Sequence, residues 1–210
     1  PEIMMRAPSA LGSLAQLDCV AIGPGLGRSI AAIEQLIFWL TQPQGQQIPI
    51  VLDADALNLI AEHAHLAALL KKRHAATVIT PHAGEASRLL GVSAEIVQAN
   101  RTGAALHLAK SFNATCVLKG AGTVCTQSDG ACFVNTTGNP ALASGGTGDV
   151  LTGLVASLVA QGVPPQQAAK FAAFAHGMAA DNLVAQGLGP RGITASELLP
   201  EIRNVINSLG

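Results

Sequence analysis

Ile48-Pro49-Ile50-Val51-Leu52-Asp53-Ala54-Asp55-Ala56-Leu57-Asn58 is the stretch that decides the fold. A short apolar run rich in β-branched residues reads as a buried strand, and the two aspartates turn it into a helix through Leu57, Leu59 and Ile60. The same grammar recurs on either side. Leu17-Asp18-Cys19-Val20-Ala21-Ile22 is a strand that ends in Gly23-Pro24-Gly25-Leu26-Gly27, followed by Ile30, Ile33, Ile37 and Leu40 at helical spacing with Ser29 as the expected cap. Thr77-Val78-Ile79-Thr80 runs into Pro81-His82-Ala83-Gly84-Glu85. Strands alternating with helices predict a parallel sheet covered by helices, with ligands beyond the carboxyl ends of the strands.

The middle of the chain changes character. Residues 115–119, 122–126 and 131–134 are closely spaced strands, the last two joined by Ser128-Asp129-Gly130, which predicts an antiparallel hairpin at one sheet edge. Helices are expected over 149–161, 165–186 after Pro164-Pro165, and 194–208 after Gly189-Pro190. No internal repeat or linker divides the chain, so one α/β domain over residues 1–210 is expected.

Composition excludes several function classes. The net charge is −1, from 12 basic and 13 acidic residues, and there are five Phe, one Trp and no Tyr. That is neither a basic footprint nor a set of stacking platforms for nucleic acid. Charged residues and glycines interrupt every apolar stretch before the length of a membrane span, so neither a nucleic-acid nor a membrane partner is expected. Cys19, Cys116, Cys125 and Cys132 lie on strand-like segments without C-x-x-C spacing, which reads as buried free thiols in a reducing compartment. No targeting peptide is visible, and a cytoplasmic location is expected.

Ala143-Ser144-Gly145-Gly146-Thr147-Gly148-Asp149-Val150-Leu151 carries the strongest chemical signal. Three glycines ahead of a helix leave backbone N–H groups bare for an anion, although a tight turn into a buried helix would read the same way. Asp149 would repel phosphate unless it had a task, such as taking a proton from a hydroxyl. Lys119-Gly120-Ala121-Gly122-Thr123 is either a second phosphate-approach loop or a glycine turn with a solvated lysine. It is not a Walker loop. His82 could orient a substrate and Glu85 could bind Mg²⁺ directly or through water; both also suit a capped helix start. One of Asp53 and Asp55 is expected to be an N-cap. The other histidines, His176 among them, have no metal-ligand spacing, and no G-x-S-x-G nucleophile elbow occurs.

Taken in order, these blocks resemble the ribokinase-like superfamily, and within it the ADP/ATP-dependent NAD(P)H-hydrate dehydratases. The carriers are Gly23 to Gly27, Val51 to Asn58, Thr80 to Glu85, Lys119 to Thr123, and Gly138-Asn139-Pro140 through Gly153. Vitamin-precursor kinases of the superfamily share the G-T-G turn, and such a kinase, or a non-catalytic nucleotide-binding fragment, is the alternative. The resemblance implies a three-layer α/β/α fold with a mostly parallel sheet. It also implies repair of (6S)-NADHX or NADPHX at the expense of ADP or ATP, with Mg²⁺ offsetting the polyphosphate charge. Asp149 would be the base. Gly25, Gly27, His82 and Asp149 would meet the hydrated nicotinamide nucleotide, and Lys119, Gly120, Ala121, Gly122, Thr123, Gly146 and Gly148 the phosphates and ribose.

Many members of the resembled family are the C-terminal half of a bifunctional protein, so fusion to an epimerase domain is expected, and homo-oligomers are common among them. Two departures stand out. Ala141 replaces a glycine of the family's G-N-P-G-M-A, which predicts a strained turn if that position needs positive φ. The family's first strand and its glycine- and alanine-rich segment have no match, which predicts a domain incomplete at its start, with an uncovered sheet edge.

Overall fold

The computed structural model describes residues 17–42 and 46–209. Six strands form one sheet: β1 (Val20–Ile22), β2 (Ile50–Leu52), β3 (Thr77–Ile79), β4 (Thr115–Leu118), β5 (Val124–Thr126) and β6 (Cys132–Val134), in spatial order β1-β2-β3-β4-β5-β6. The first four run parallel, with Val20 opposite Ile50, Ile50 opposite Thr77 and Val78 opposite Thr115. β5 and β6 pair antiparallel, as the turn at Ser128-Asp129-Gly130 predicts; the Asp129 carboxylate accepts from Ala131 N at 2.8 Å.

The helices are α1 (Ile30–Thr41), α2 (Ala54–Glu62), α3 (Ala64–Lys71), α4 (Ala83–Leu90), α5 (Ala94–Ala99), α6 (Arg101–Phe112), α7 (Thr147–Ala160), α8 (Pro165–Ala185) and α9 (Ala195–Asn207). Successive strand residues point to opposite faces, and each face has its own apolar core. Ile50, Leu52, Ile79, Cys116 and Leu118 pack with Leu36, Leu40, Leu57, Leu66 and Leu108 from the helices between strands. Val51, Val78, Val117 and Cys125 pack with Leu151 and Val155 of α7 and Ala168, Ala169 and Ala172 of α8. The result is a three-layer α/β/α sandwich. α9 closes the outside of α8 through Leu198 and Ile202 against Ala179, Ala180 and Leu183.

Local signals behave as their chemistry requires. Ser29 accepts from Ala32 N at 3.2 Å, and Pro165 opens α8, where no N–H is needed. Ala141 departs from expectation: it lies buried in a 3-10 turn, and the non-glycine residues with positive φ are Ala54 and Asn113 among the described residues. Asn139 takes up the turn's free N–H by accepting from Ala141 N at 3.0 Å, so alanine fits there without strain. Cys132 is exposed on β6 and Cys19 half-buried, so only Cys116 and Cys125 are core thiols. Burial pushes the Cys19 thiol up to about 11 and that of Cys125 up to about 12, which leaves both protonated and unreactive at neutral pH. Among the described strands β1 pairs with β2 alone; the expected truncated start falls on residues 1–16, outside the described residues. No described helix is long and apolar enough to cross a membrane.

Two positions make the fold testable. A Cβ on Gly23, at φ +132°, would lie 1.8 Å from the Asp53 carbonyl oxygen, so β1 can end against β2 only with glycine there. Gly23→Ala should lose about 2–4 kcal/mol in urea unfolding. On α8, His176 is 6% exposed and its Nε2 has no hydrogen-bond partner. Burial first, opposed by the Thr147 backbone and reinforced by the Lys119 charge, lowers its pKa from 6.5 to about 4. Above pH 6.5 neither the folded nor the unfolded chain protonates it. Between 6.5 and 4 the unfolded chain takes up a proton that the folded one refuses, so stability falls with pH by about 1.4 kcal/mol per unit. Urea midpoints measured across that range should slope less steeply in His176→Gln than in the native chain.

Candidate functional site

Parallel pairing sends the carboxyl ends of β1 to β4 to one edge of the sheet, and backbone bonds lace those ends together. Asp53 N donates to Ile22 O at 3.2 Å, and Lys119 N to Pro81 O at 2.8 Å. Neither aspartate of the first quoted stretch caps α2 with its side chain. Asp53 occupies the N-cap position, but its side chain makes no capping bond. Asp55 points back, accepting from Gly27 N at 2.9 Å, with Arg28 Nε 3.9 Å from its other oxygen. Gly25 and Gly27, at φ +66° and +75°, are thereby held at the start of α2.

The Asp53 carboxylate, 1% exposed, serves residues distant in sequence. Its Oδ1 accepts from Lys119 Nζ at 2.6 Å and its Oδ2 from Thr152 Oγ1 at 2.7 Å. Thr152 Oγ1 lies 3.3 Å from Thr80 Oγ1, and Thr80 in turn reaches Leu52 O at 3.3 Å. Local pattern alone misses this role, because an aspartate before a helix reads as a cap.

His82 and Glu85 form a capping box at α4. The imidazole Nδ1 accepts from Gly84 N at 3.0 Å and Glu85 N at 3.4 Å, and Glu85 Oε2 accepts from His82 N at 2.8 Å. Nδ1 acts as an acceptor, so the neutral ring carries its proton on Nε2, on an exposed side chain. Glu85 is buried, with Lys119 Nζ 3.9 Å from Oε2 and His82 Nε2 3.3 Å from Oε1.

Between the Lys119–Thr123 loop and the first turn of α7 lies a cavity of about 650 Å³. Lys119, Gly120, Ala121, Gly122 and Thr123 line it on one side, Thr147 and Gly148 on another, with His82 at its margin. Gly146 caps α7 at φ +84° and offers no side-chain acceptor; Thr147 N reaches Ser144 O at 3.5 Å, and the N–H groups of Gly148 and Asp149 stay available to a ligand. Arg101 braces the opposite loop by donating to Leu118 O at 3.0 Å. Asp149 is exposed one residue beyond Gly148; it, Gly25, Gly27, Glu85 and Gly146 do not line this cavity. Asn135, Thr137 and His176 do line it and were missed in the sequence. The unpartnered Nε2 of His176 becomes visible only once α8 is packed.

Chemically, a cavity with a lysine, two glycine-bearing turns and a helix N-terminus fits a polyphosphate. It does not present a divalent-ion cage in this arrangement. Both oxygens of Asp53 already accept protein donors, Glu85 Oε2 holds the His82 N–H, and the described residues contain no cluster of three ligating side chains.

Comparison with known proteins gives the same direction. The family model described as NAD(P)H-hydrate dehydratase matches residues 1–204. The ADP-dependent (S)-NAD(P)H-hydrate dehydratase of Neisseria meningitidis is 40% identical over 212 residues, covering 100% of this chain and 70% of that protein. The bifunctional NAD(P)H-hydrate repair enzyme of Moorella thermoacetica is 41% identical over 95% of this chain, which spans 36% of that longer protein. Among solved structures, the ADP/ATP-dependent NAD(P)H-hydrate dehydratase from Bacillus subtilis, co-crystallised with ATP/Mg²⁺, superposes with a TM-score of 0.79 at 32% identity, covering 92% of this chain and 65% of that one. A hydroxyethylthiazole kinase from Pyrococcus horikoshii, at TM-score 0.73 and 23% identity over 98% of this chain and 81% of that one, shares the fold. The motif blocks stand in family order on a ribokinase-like sheet, and the chain belongs to the NAD(P)H-hydrate dehydratase family.

Proposed function

We propose that residues 1–210 act as one dehydratase domain that returns (6S)-NADHX and NADPHX to NADH and NADPH, with ADP or ATP as the phosphoryl donor. The observation that carries this reading is the cavity between Lys119–Thr123 and the α7 N-terminus, beside an exposed carboxylate at Asp149. The ring hydroxyl of the substrate is a poor leaving group as hydroxide and a good one as phosphate. In this reading Asp149 accepts the proton of the 6-hydroxyl as its oxygen attacks the terminal phosphorus, whose bridging P–O bond breaks to release AMP from ADP or ADP from ATP. The α7 N–H groups and Lys119 stabilise the charge on the transferring group. The C6–O bond then breaks toward phosphate, the ring nitrogen lone pair forms an iminium, and loss of a proton from carbon 5 restores the dihydropyridine. His82, through its exposed Nε2–H, and the Gly25–Gly27 turn would orient the nicotinamide end. Mg²⁺ would offset polyphosphate charge when it enters with the nucleotide.

Four free thiols accord with the cytoplasmic location proposed for this chain, and self-assembly and fusion to an epimerase domain are part of the same reading.

Incubation with enzymatically prepared NADHX should restore dihydronicotinamide absorbance only when ADP or ATP is added, with inorganic phosphate released in step. A stable phosphorylated product would favour the kinase reading instead, and ADP binding without turnover the non-catalytic one. Asp149→Asn should lower kcat by roughly 10²–10⁴-fold while the Kd for ADP, measured by calorimetry, stays within about twofold. Equal loss of binding would remove Asp149 from the role of base.

A further inference from the structure

The Asp53–Lys119 contact joins the end of β2 to the residue after β4, and nothing in the sequence pattern assigns Asp53 a part in ligand binding. Three observations set it apart from an ordinary ion pair. The carboxylate is held at both oxygens, by Lys119 Nζ at 2.6 Å and Thr152 Oγ1 at 2.7 Å, so its orientation is determined from β4 and from α7 at once. The following residue, Ala54, takes φ +47°, a left-handed conformation that alanine adopts only when its surroundings impose it. Gly148 lies over the pair: a Cβ there would sit 3.4 Å from Lys119 Nζ and 3.9 Å from Asp53 Oδ2, so the first turn of α7 stands in contact range of the ammonium. Lys119 itself lines the cavity.

We propose that Asp53 is a positioning residue for the polyphosphate of the nucleotide, holding the Lys119 ammonium beneath the N-terminus of α7 before the ligand arrives. The proposal rests on the reading that the cavity takes ADP or ATP. A lysine on a free four-carbon stem would lose its rotamer freedom on binding, whereas one already anchored does not. An ammonium has three donors; Asp53 takes one and leaves two for phosphate oxygens. Thr152 is the second anchor, because it stops the carboxylate from rotating with its cation.

The test is a double-mutant cycle read by calorimetry with ADP on the 210-residue chain, using Asp53→Asn, Lys119→Met and the double variant. Asp53→Asn should weaken ADP binding about tenfold or more in the native background and by less than about twofold in the Lys119→Met background. A merely structural role predicts the same factor in both backgrounds, and that additivity would overturn the proposal. So would ADP binding to Asp53→Asn as tight as, or tighter than, to the native chain, since the carboxylate would then be only a competitor for the ammonium. If Asp53→Asn does not fold, Thr152→Val and Thr152→Ser replace it: the valine variant should lose several-fold in affinity and the serine variant regain it, and equal affinity of the two overturns the idea. Failure of the native chain to bind ADP would instead overturn the nucleotide reading on which the proposal stands.

Discussion

The ion pair between Lys119 Nζ and Asp53 Oδ1, 2.6 Å long and nearly closed to solvent on the acidic side, is the contact on which the rest of the site depends. Its partners are 66 positions apart and meet because β2 and β4 run parallel in one sheet, one strand removed, with their carboxyl ends level. Were Lys119 lost, the Asp53 carboxylate would stay buried without its counterion, a situation that costs about 3–5 kcal/mol, whereas loss of Asp53 would leave the half-buried ammonium only Glu85, 3.9 Å away. The pair therefore couples the β2 turn, the β4 loop and, through Thr152, the first turns of α7. These are the walls of the cavity and of the crevice beside it. Glycine is required where backbone comes closest to that cluster, at Gly23 against the Asp53 carbonyl, and Gly148 packs beside the lysine.

Element order and sheet sense were legible in the sequence because they rest on local signals. Each strand is a short apolar run, each parallel strand is followed by a helix, and Ser128-Asp129-Gly130 announces the hairpin. The two glycine-bearing loops that line the cavity were legible for the same reason, since glycine spacing reports backbone exposure. What escaped was tertiary. One of Asp53 and Asp55 reads as a cap because the cap is the commonest local use of an aspartate before a helix, and no local pattern reveals a lysine 66 residues beyond Asp53. His176, without metal-ligand spacing, carries no site signal within an alanine-rich helix. Its lack of a partner depends on what α8 packs against. Ala141 reads as strained by analogy with a glycine, yet the Asn139 side chain makes a turn that alanine accepts.

The cavity's position follows from a change of strand sense. In open parallel sheets a crevice forms where the strand order reverses, and the described order β1 to β6 has no reversal. After β4 the chain does not cross over through a helix. It turns back at Lys119–Thr123 and returns antiparallel as β5, so the loop stays at the carboxyl edge. β6 runs back toward that edge and delivers Asn135, Thr137 and Gly138 to the same space. α6 packs on one face of this hairpin and α8 on the other, and the first turn of α7 closes the space at the carboxyl edge.

That arrangement is what would let one turn serve both ends of the proposed reaction. α7 begins over the parallel part of the sheet, where Asp53, His82 and the Gly25–Gly27 turn stand, and its first-turn N–H groups border the hairpin cavity beside it. A helix N-terminus placed at such a boundary lies against both a polyphosphate space and the strand-end turns proposed for the second substrate. In the proposed reaction Gly148 and Asp149 divide the work by adjacency: the glycine faces the lysine and the cavity, and the next residue carries a carboxylate that is free of protein donors among the described residues. Moving the carboxylate one position earlier would put a side chain and a negative charge against Lys119 and close the approach. Moving it one later would rotate it by about 100° around the helix, away from the junction.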